Sequence, residues 1–164
     1  MQSLTERMIG AAKLDIDTYE EVEADTDATM QAGSVVGMVA IASALGGIGG
    51  GAAQALGGLV AAIVGWLLWS GITYVIGDKL LGGTATWGEL LRTLGFAQTP
   101  GLLFILGAIP VVGWLVVPVV GIYLLFTGVV AIRQALDFGT GRAILTAVLG
   151  LIPYAIMRYL VLGA

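Results

Sequence analysis

The sequence predicts an all-α integral membrane protein, a bundle of about five transmembrane helices preceded by a short acidic cytoplasmic segment. Composition is the first observation behind this fold class, since 58% of the 164 residues are hydrophobic and only 11% are charged. The placement of charge is the second, because no Asp, Glu, Lys or Arg occurs in residues 28–77, 93–132 or 143–157. A transmembrane helix needs about 20 apolar residues. The first two stretches therefore each hold two crossings, and the third holds one.

The first 29 residues form a predicted N-terminal segment, separate from a membrane domain at residues 30–164. Residues 1–14 form either a short amphipathic helix, with apolar side chains close to one face, or a polar tail. Residues 15–27 contain seven acidic residues and no basic one. This run is either a docking segment for a partner or a solvated tail, which is the usual structure of a charge run. The candidate docking residues are Tyr19, Glu20, Glu21, Glu23 and Asp25.

The first two predicted crossings, residues 30–48 and 56–76, are rich in glycine. A glycine run at residues 46–51 separates them and ends the first helix. This run does not fit a phosphate-binding loop, because no lysine follows it and no predicted strand precedes it. Small residues allow transmembrane helices to approach closely, so we expect these two helices to pack tightly. The glycines predicted at this contact are Gly33, Gly37, Gly47 and Gly51.

The third crossing begins with a predicted capping box, in which Thr86 and Glu89 each bond the other's backbone amide. It ends near residue 108, where Pro110 marks a tight turn. The fourth crossing follows at residues 114–132. Because prolines interrupt this hairpin, it either crosses the membrane fully or re-enters it. The fifth crossing is predicted at residues 142–162.

Charged residues flank the crossings and form a predicted cluster on the cytoplasmic face. Glu89 and Arg92 are three residues apart, a spacing at which side chains on a helix pair. Arg133 and Asp137 are four apart and are expected to pair in the same way. The cluster is either functional or a set of helix caps and interfacial anchors. Its members are Glu89, Arg92, Arg133, Asp137 and Arg142.

The basic residues predict the orientation in the membrane. With five crossings, six of the seven basic residues lie on the side of the N-terminus, and Arg158 near the end of the last crossing is the exception. Short loops rich in Lys and Arg face the cytoplasm. We therefore expect a multi-pass protein of the cell membrane, with its N-terminus in the cytoplasm and its C-terminus outside.

The available side chains argue against several function classes. The chain has no Cys and no His, which removes thiolate and imidazole metal ligands and nucleophile–histidine pairs. The centres of the five crossings lack the charged residues that ion and proton pathways use. We expect no catalysis, no metal, no cofactor and no nucleic-acid partner. Trp66, Trp69 and Trp114 either line a pigment, lipid or quinone site or pack between helices and at the interface.

Short motifs along the chain resemble the Yip domain family, membrane proteins first known as Ypt/Rab GTPase-interacting proteins. The resemblance looks closest to the prokaryotic branch, because the Asp-Leu-Tyr-Gly-Pro stretch of eukaryotic trafficking members and a long cytosolic N-terminal domain are absent. It implies a five-helix membrane fold and little about activity. The segments that carry it are residues 17–25, 82–97, 98–100, 131–136 and 140–143.

These observations lead to an expected function that does not involve catalysis. We expect an integral membrane protein that acts through helix–helix and protein–protein contacts. It would organise the membrane or serve as an accessory or scaffold subunit of a larger membrane complex. The alternative is a small-molecule or lipid-binding membrane protein, or a transporter component. The expected partners are the lipid bilayer and either other membrane-protein subunits or further copies of this chain.

Overall fold

The computed structural model describes residues 2–47 and 52–162, and the elements in these ranges are helical. The α-helices are α1 (Leu4–Ala12), α2 (Ile16–Ala24), α3 (Ala28–Gly46), α4 (Ala52–Tyr74), α5 (Trp87–Ala97), α6 (Val112–Ala135) and α7 (Thr140–Leu162). A π-helical turn, Val75–Leu80, extends α4, and a 3-10 helix, Thr99–Ala108, extends α5. The all-α class is therefore confirmed.

Four helical stretches are long and apolar enough to cross a membrane. They are Ala28–Gly46, Leu59–Leu80, Trp87–Ala108 and Val112–Ala135, and a shorter apolar helix follows at Thr140–Ile156. The four long stretches match the first four predicted crossings, with ends that differ by a few residues, and the shorter apolar helix lies where the fifth crossing was predicted. The two arms of the proline-interrupted hairpin contain 22 and 24 residues, enough for a full crossing of a core about 30 Å thick.

Local sequence signals set several helix ends. The predicted capping box is present: Thr86 Oγ1 accepts from the Glu89 amide at 3.3 Å, and Glu89 Oε2 accepts from the Thr86 amide at 2.6 Å. Ser3 and Glu6 form a second capping box at the start of α1. The turn between the 3-10 helix and α6 places Val111 at φ +71°, a left-handed conformation that strains a β-branched residue.

The closest helix contact is between α3 and the span that α5 and the 3-10 helix form together. A Cβ added at Gly95 would lie 2.7 Å from Ala32 Cβ, closer than real contacts allow. The same close approach recurs six residues later, where a Cβ at Gly101 would lie 2.6 Å from a Val39 methyl group. Glycine at these positions therefore lets the two helix backbones approach, as small residues do in membranes.

The four glycines that the sequence placed at the contact between the first two helices differ in what they contact. A Cβ at Gly37 would meet nothing within 4 Å, so the prediction of close packing there is wrong within this chain. At Gly33 it would lie 3.7 Å from the Trp66 ring of α4, which is an ordinary contact. Gly47 caps α3 and donates its amide to Ser43 O at 2.9 Å. Gly51 lies outside the described residues.

Candidate functional site: the N-terminal cap

Helices α1 and α2 fold back against one end of the membrane bundle, and we name residues 4–24 the N-terminal cap. The cap packs on α5, the 3-10 helix and α6. Tyr19 and Val22, three residues apart on α2, are completely buried. The Tyr19 hydroxyl donates to Ala11 O at 3.1 Å. Residues 1–14 thus contain the predicted helix, and the acidic run contains a second helix, Ile16–Ala24, whose exposed side carries acidic residues and whose apolar side chains are buried against the bundle.

Arg7 holds the cap together. Its side chain is only 1% exposed and lies between three acceptors on two helices and the segment that joins them. Arg7 Nη2 donates to Glu21 Oε1 at 2.9 Å and to Asp25 Oδ2 at 2.6 Å, and Nη1 donates to Gln31 Oε1 at 3.0 Å. Because an arginine removed from water needs such partners, these contacts fix α1 and α2 against the start of α3.

Glu21 and Asp25, two acidic residues of the predicted docking segment, therefore bind Arg7 of the same chain. The Gln2 backbone amide and then Arg7 lower the pKa of Glu21, because both donate hydrogen bonds to its ionised carboxylate. The Arg7 guanidinium likewise lowers the pKa of Asp25. Together with the burial of Tyr19, these contacts leave Glu20 as the exposed member of the predicted set. Glu20 accepts a hydrogen bond from Gln134 of α6 at 3.2 Å.

Glu23, the remaining residue of that set, is half-buried between the cap and the bundle. Burial, and after it the neighbouring carboxylates of Glu89, Asp137 and Glu20, together raise its pKa to about 7, while Arg92 opposes them. The predicted cluster residues Glu89 and Asp137 thus do lie close to Glu23. A carboxyl group with this pKa is partly protonated at neutral pH.

Arg92 does not pair with Glu89, although their spacing predicted it. The Arg92 side chain is buried and reaches from α5 to the C-terminal end of α2. Its Nε donates to Val22 O at 2.9 Å and to Glu23 O at 3.1 Å. The last carbonyl groups of a helix lack partners within the helix, and a basic side chain satisfies them. Arg92 therefore pins α2 onto α5, and Glu89 serves its own helix as a cap.

Arg133 and Asp137, the other predicted pair, form no ion pair in the part of the chain that the structure describes. Asp137 adopts φ +52° after the end of α6, which turns its carboxylate toward the Thr84 hydroxyl, 2.7 Å away. Arg133 lies half-buried on α6. Arg142 stacks over the Phe138 ring at 4.0 Å and donates to Leu81 O. The contacts of Asp137 and Arg142 tie together the connectors at the charged end of the bundle.

Arg7 is the residue that the sequence analysis missed. The available signal was one of charge balance: an acidic run without any basic residue of its own follows a short helix that carries one arginine. The two partners, Glu21 and Asp25, are four residues apart and lie on one face of α2 and its end. A search for a basic residue facing this pair would have selected Arg7 or Lys13.

A family model described as Yip1 domain matches residues 23–162. The chain belongs to the Yip1 domain family. Comparison with curated proteins and with solved structures gives no match. The Yip1 match confirms the resemblance read from the sequence motifs. Together with the four apolar spans, it shows that the chain is a membrane protein. Its assignment to the prokaryotic branch stays a prediction.

The Yip1 match begins within α2, so the Arg7 contact joins residues on both sides of that boundary. Arg7 and Glu21 precede the match, whereas Asp25 and Arg92 lie inside it. The cap is therefore packed onto the Yip1 domain by side chains from both parts. The domain boundary predicted at residue 30 falls two residues inside α3, which begins at Ala28.

Proposed function

We propose that this Yip1-domain protein acts without catalysis, through lateral contacts of its membrane helices, as a membrane-organising protein or an accessory subunit of a larger membrane complex. One observation carries the proposal. Along α6, large apolar side chains recur at intervals of four, three and four residues, and each is more than half exposed. They are Leu115 (61%), Val119 (57%), Ile122 (57%) and Phe126 (57%).

This α6 stripe has the spacing of helices that pack side by side. Intervals of four and three place all its members on one face, as in the seam between paired helices. Association of helices in lipid depends on van der Waals packing between matched surfaces. A transmembrane helix of another subunit, or of a second copy, is the partner that this stripe fits.

The N-terminal cap supports the same proposal by its internal contacts. Arg7 and Arg92 bind groups within the chain, and Glu21 and Asp25 are the acceptors for Arg7. These residues are therefore poorly placed to recruit a soluble partner. The face available for interaction is the apolar surface within the membrane.

Crosslinking in intact membranes tests the proposal directly, because the chain has no native cysteine. Ile122→Cys places a thiol on the α6 stripe, and Val60→Cys places one at a similarly exposed position (58%) on α4. A thiol-attached benzophenone, which inserts into C–H bonds on irradiation and so needs no amine in the membrane, should give a discrete adduct from Ile122→Cys and none from Val60→Cys. Phe126→Ala should reduce the yield from Ile122→Cys, whereas Ile152→Ala on α7 should not. Equal adducts from both cysteines would show that no particular face is used.

The orientation is a second part of the proposal. The cap, the start of α5 and the α6–α7 connector gather at one end of the bundle. Four of the seven basic residues lie in or directly beside the cap and that connector: Arg7, Lys13, Arg133 and Arg142. The positive-inside rule favours the cytoplasm for this end. We accordingly propose a cytoplasmic N-terminus and, with α7 as a fifth crossing, a C-terminus outside.

A further inference from the structure

The N-terminal cap covers one side of the bundle as far as the middle of α6. Near the C-terminal end of that helix, Gln134 donates a hydrogen bond to Glu20 at 3.2 Å. Farther along the helix, the Tyr123 hydroxyl donates to Ala12 O at 2.8 Å. Because an α-helix rises about 1.5 Å per residue, these two contacts lie about 16 Å apart along α6. The cap therefore runs beside the C-terminal half of α6 and ends near its midpoint.

Charged side chains at that end of the cap limit the hydrocarbon core. Lys13, Asp15 and Asp17 come directly after the segment that Tyr123 contacts, and their side chains are exposed. Charged groups are costly within hydrocarbon. The core on this side of the bundle therefore begins near the level of Tyr123 and extends from there toward the turn between the 3-10 helix and α6.

The elements that continue past the cap toward this turn are short. On α6, exposed side chains occur within residues 112–126 and not in the rest of the helix, all of which the structure describes, so they span about 21 Å. Helix α3 rises about 22 Å from Gln31, which binds Arg7 of the cap, to its end at Gly46. The 3-10 helix, Thr99–Ala108, rises about 20 Å at about 2.0 Å per residue. All three lengths fall well short of the core of a typical bilayer, which is about 30 Å thick.

The far limit of this apolar surface lies at the turn itself. The ends of α3 and the 3-10 helix meet there, because a Cβ added at Gly107 would lie 3.2 Å from Gly46 O. Trp114 follows the turn and is 84% exposed, and tryptophan favours the interface between membrane and water. The other residues at 100–122 have apolar side chains or none. The surface between Trp114 and the cap is therefore an apolar band about 20 Å tall.

The apolar surface on the opposite side of the bundle is taller. On α4 and its π-helical extension, exposed apolar side chains extend from Leu56 (65%) to Val75 (50%), a rise of about 28 Å. This length fits an ordinary bilayer, and the cap packs on α5, the 3-10 helix and α6 instead. One face of the bundle thus matches a core of normal thickness, and the face that carries the cap does not.

We propose that this protein binds a locally thinned bilayer, with a hydrocarbon core of about 20 Å beside α3, the 3-10 helix and α6 and a core of ordinary thickness beside α4. Lipid adapts to a short apolar surface by thinning, at a modest cost for each ångström of mismatch. The protein therefore imposes a step in bilayer thickness across its own width. This inference deepens the membrane-organising part of the proposed function and rests on its five crossings, but it does not need a helix partner for the α6 stripe.

Spin labels along the α6 stripe test the proposal, because its four members are similarly exposed. Each is replaced singly by cysteine and labelled with a nitroxide, with one chain per nanodisc of palmitoyl-oleoyl phosphatidylcholine. Oxygen concentrates in hydrocarbon and a nickel chelate in water, so the ratio of their collisions with the label reports its depth. We expect the greatest depth at Val119→Cys and a depth about 10 Å smaller at Phe126→Cys. Leu67→Cys, midway along the exposed surface of α4, is the control and should lie near the bilayer centre.

The depth profile separates three arrangements of α6 in the membrane. A core of ordinary thickness centred on α6 would place the greatest depth between Ile122 and Phe126, and this result would overturn the thinning. A hairpin that enters only one leaflet would give depths that increase steadily from Phe126 to Leu115, which would overturn it as well. Only a thin core that α6 crosses gives a maximum at Val119 with shallower labels on both sides.

Labelling at the turn tells a failure of this inference from a failure of the five crossings. Val111 is 83% exposed, so Val111→Cys should react with a membrane-impermeant maleimide added outside intact cells. Labelling of Val111→Cys combined with the greatest depth at Ile122→Cys would reject the thinning alone. No labelling from outside would reject the crossings on which the inference rests, and the inference with them.

Discussion

Replacing Gly95 with alanine tests which helices form the tight contact of the bundle. The added Cβ would lie 2.7 Å from Ala32 Cβ and 3.2 Å from the Ala32 Cα and O atoms. Carbon atoms pack best about 3.5–4.0 Å apart, so α3 and α5 must separate by about 1 Å. Overpacking of this kind costs about 1–3 kcal/mol, and the better helix propensity of alanine returns up to about 1 kcal/mol. We expect a net destabilisation of about 1–2 kcal/mol.

Thermal unfolding followed by circular dichroism in detergent micelles measures this change. At about 2–4 °C per kcal/mol for a chain of this size, Gly95→Ala should lower Tm by about 5 °C. Gly37→Ala on α3 is the matched control, because its Cβ meets nothing within 4 Å, and it should leave Tm unchanged or slightly raised. The opposite order, with Gly37→Ala the more harmful change, would show that the packing derived from Gly95 is wrong.

Three further predictions concern the cap and the orientation. Arg7→Met should increase amide hydrogen exchange in α1 and α2 without changing it in α6, whereas Lys13→Met, at an exposed position, should change neither. The pKa of Glu23 rises from 4.5 to about 7 on folding. Between these two pH values the folded cap holds a proton on Glu23 that the unfolded chain has released, so the stability of the cap should fall as pH rises through that window. Exchange protection of α2 should therefore be greater at pH 5.5 than at pH 7.5, and Glu23→Gln should remove the difference. A C-terminal alkaline phosphatase fusion should be active, and an active cytoplasmic reporter at that end would contradict five crossings.

The positions of the membrane helices could be predicted because they depend on composition and length alone. Fifty charge-free residues separated by a glycine run admit two helices and little else. The structure extends the fourth crossing from the predicted 114–132 to Val112–Ala135, since a helix continues beyond the apolar residues that define its core. The capping box at Thr86 was equally accessible, because both partners lie within one turn.

Contacts between distant parts of the chain could not be predicted from composition, length or local spacing. Arg92 satisfies the spacing rule for a pair with Glu89, yet its acceptors are the carbonyl groups of Val22 and Glu23, about 70 residues earlier. Gly37 satisfies the spacing rule for close helix packing, but the rotation of α3 turns Ala32 and Val39 toward the neighbouring span. A local pattern states which interactions a residue is able to make, and the tertiary arrangement selects one of them.

Helix α6 joins the N-terminal cap to the span that begins with α5. Thr127 is completely buried, accepts a long contact of 3.5 Å from the Tyr19 hydroxyl at its carbonyl oxygen, and donates its own hydroxyl to Ala97 O. One turn earlier on α6, the Tyr123 hydroxyl donates to Ala12 O at 2.8 Å. Because an unsatisfied polar group inside a membrane protein is costly, these hydrogen bonds fix the cap, α6 and the α5 span in one arrangement, which no local sequence pattern could predict.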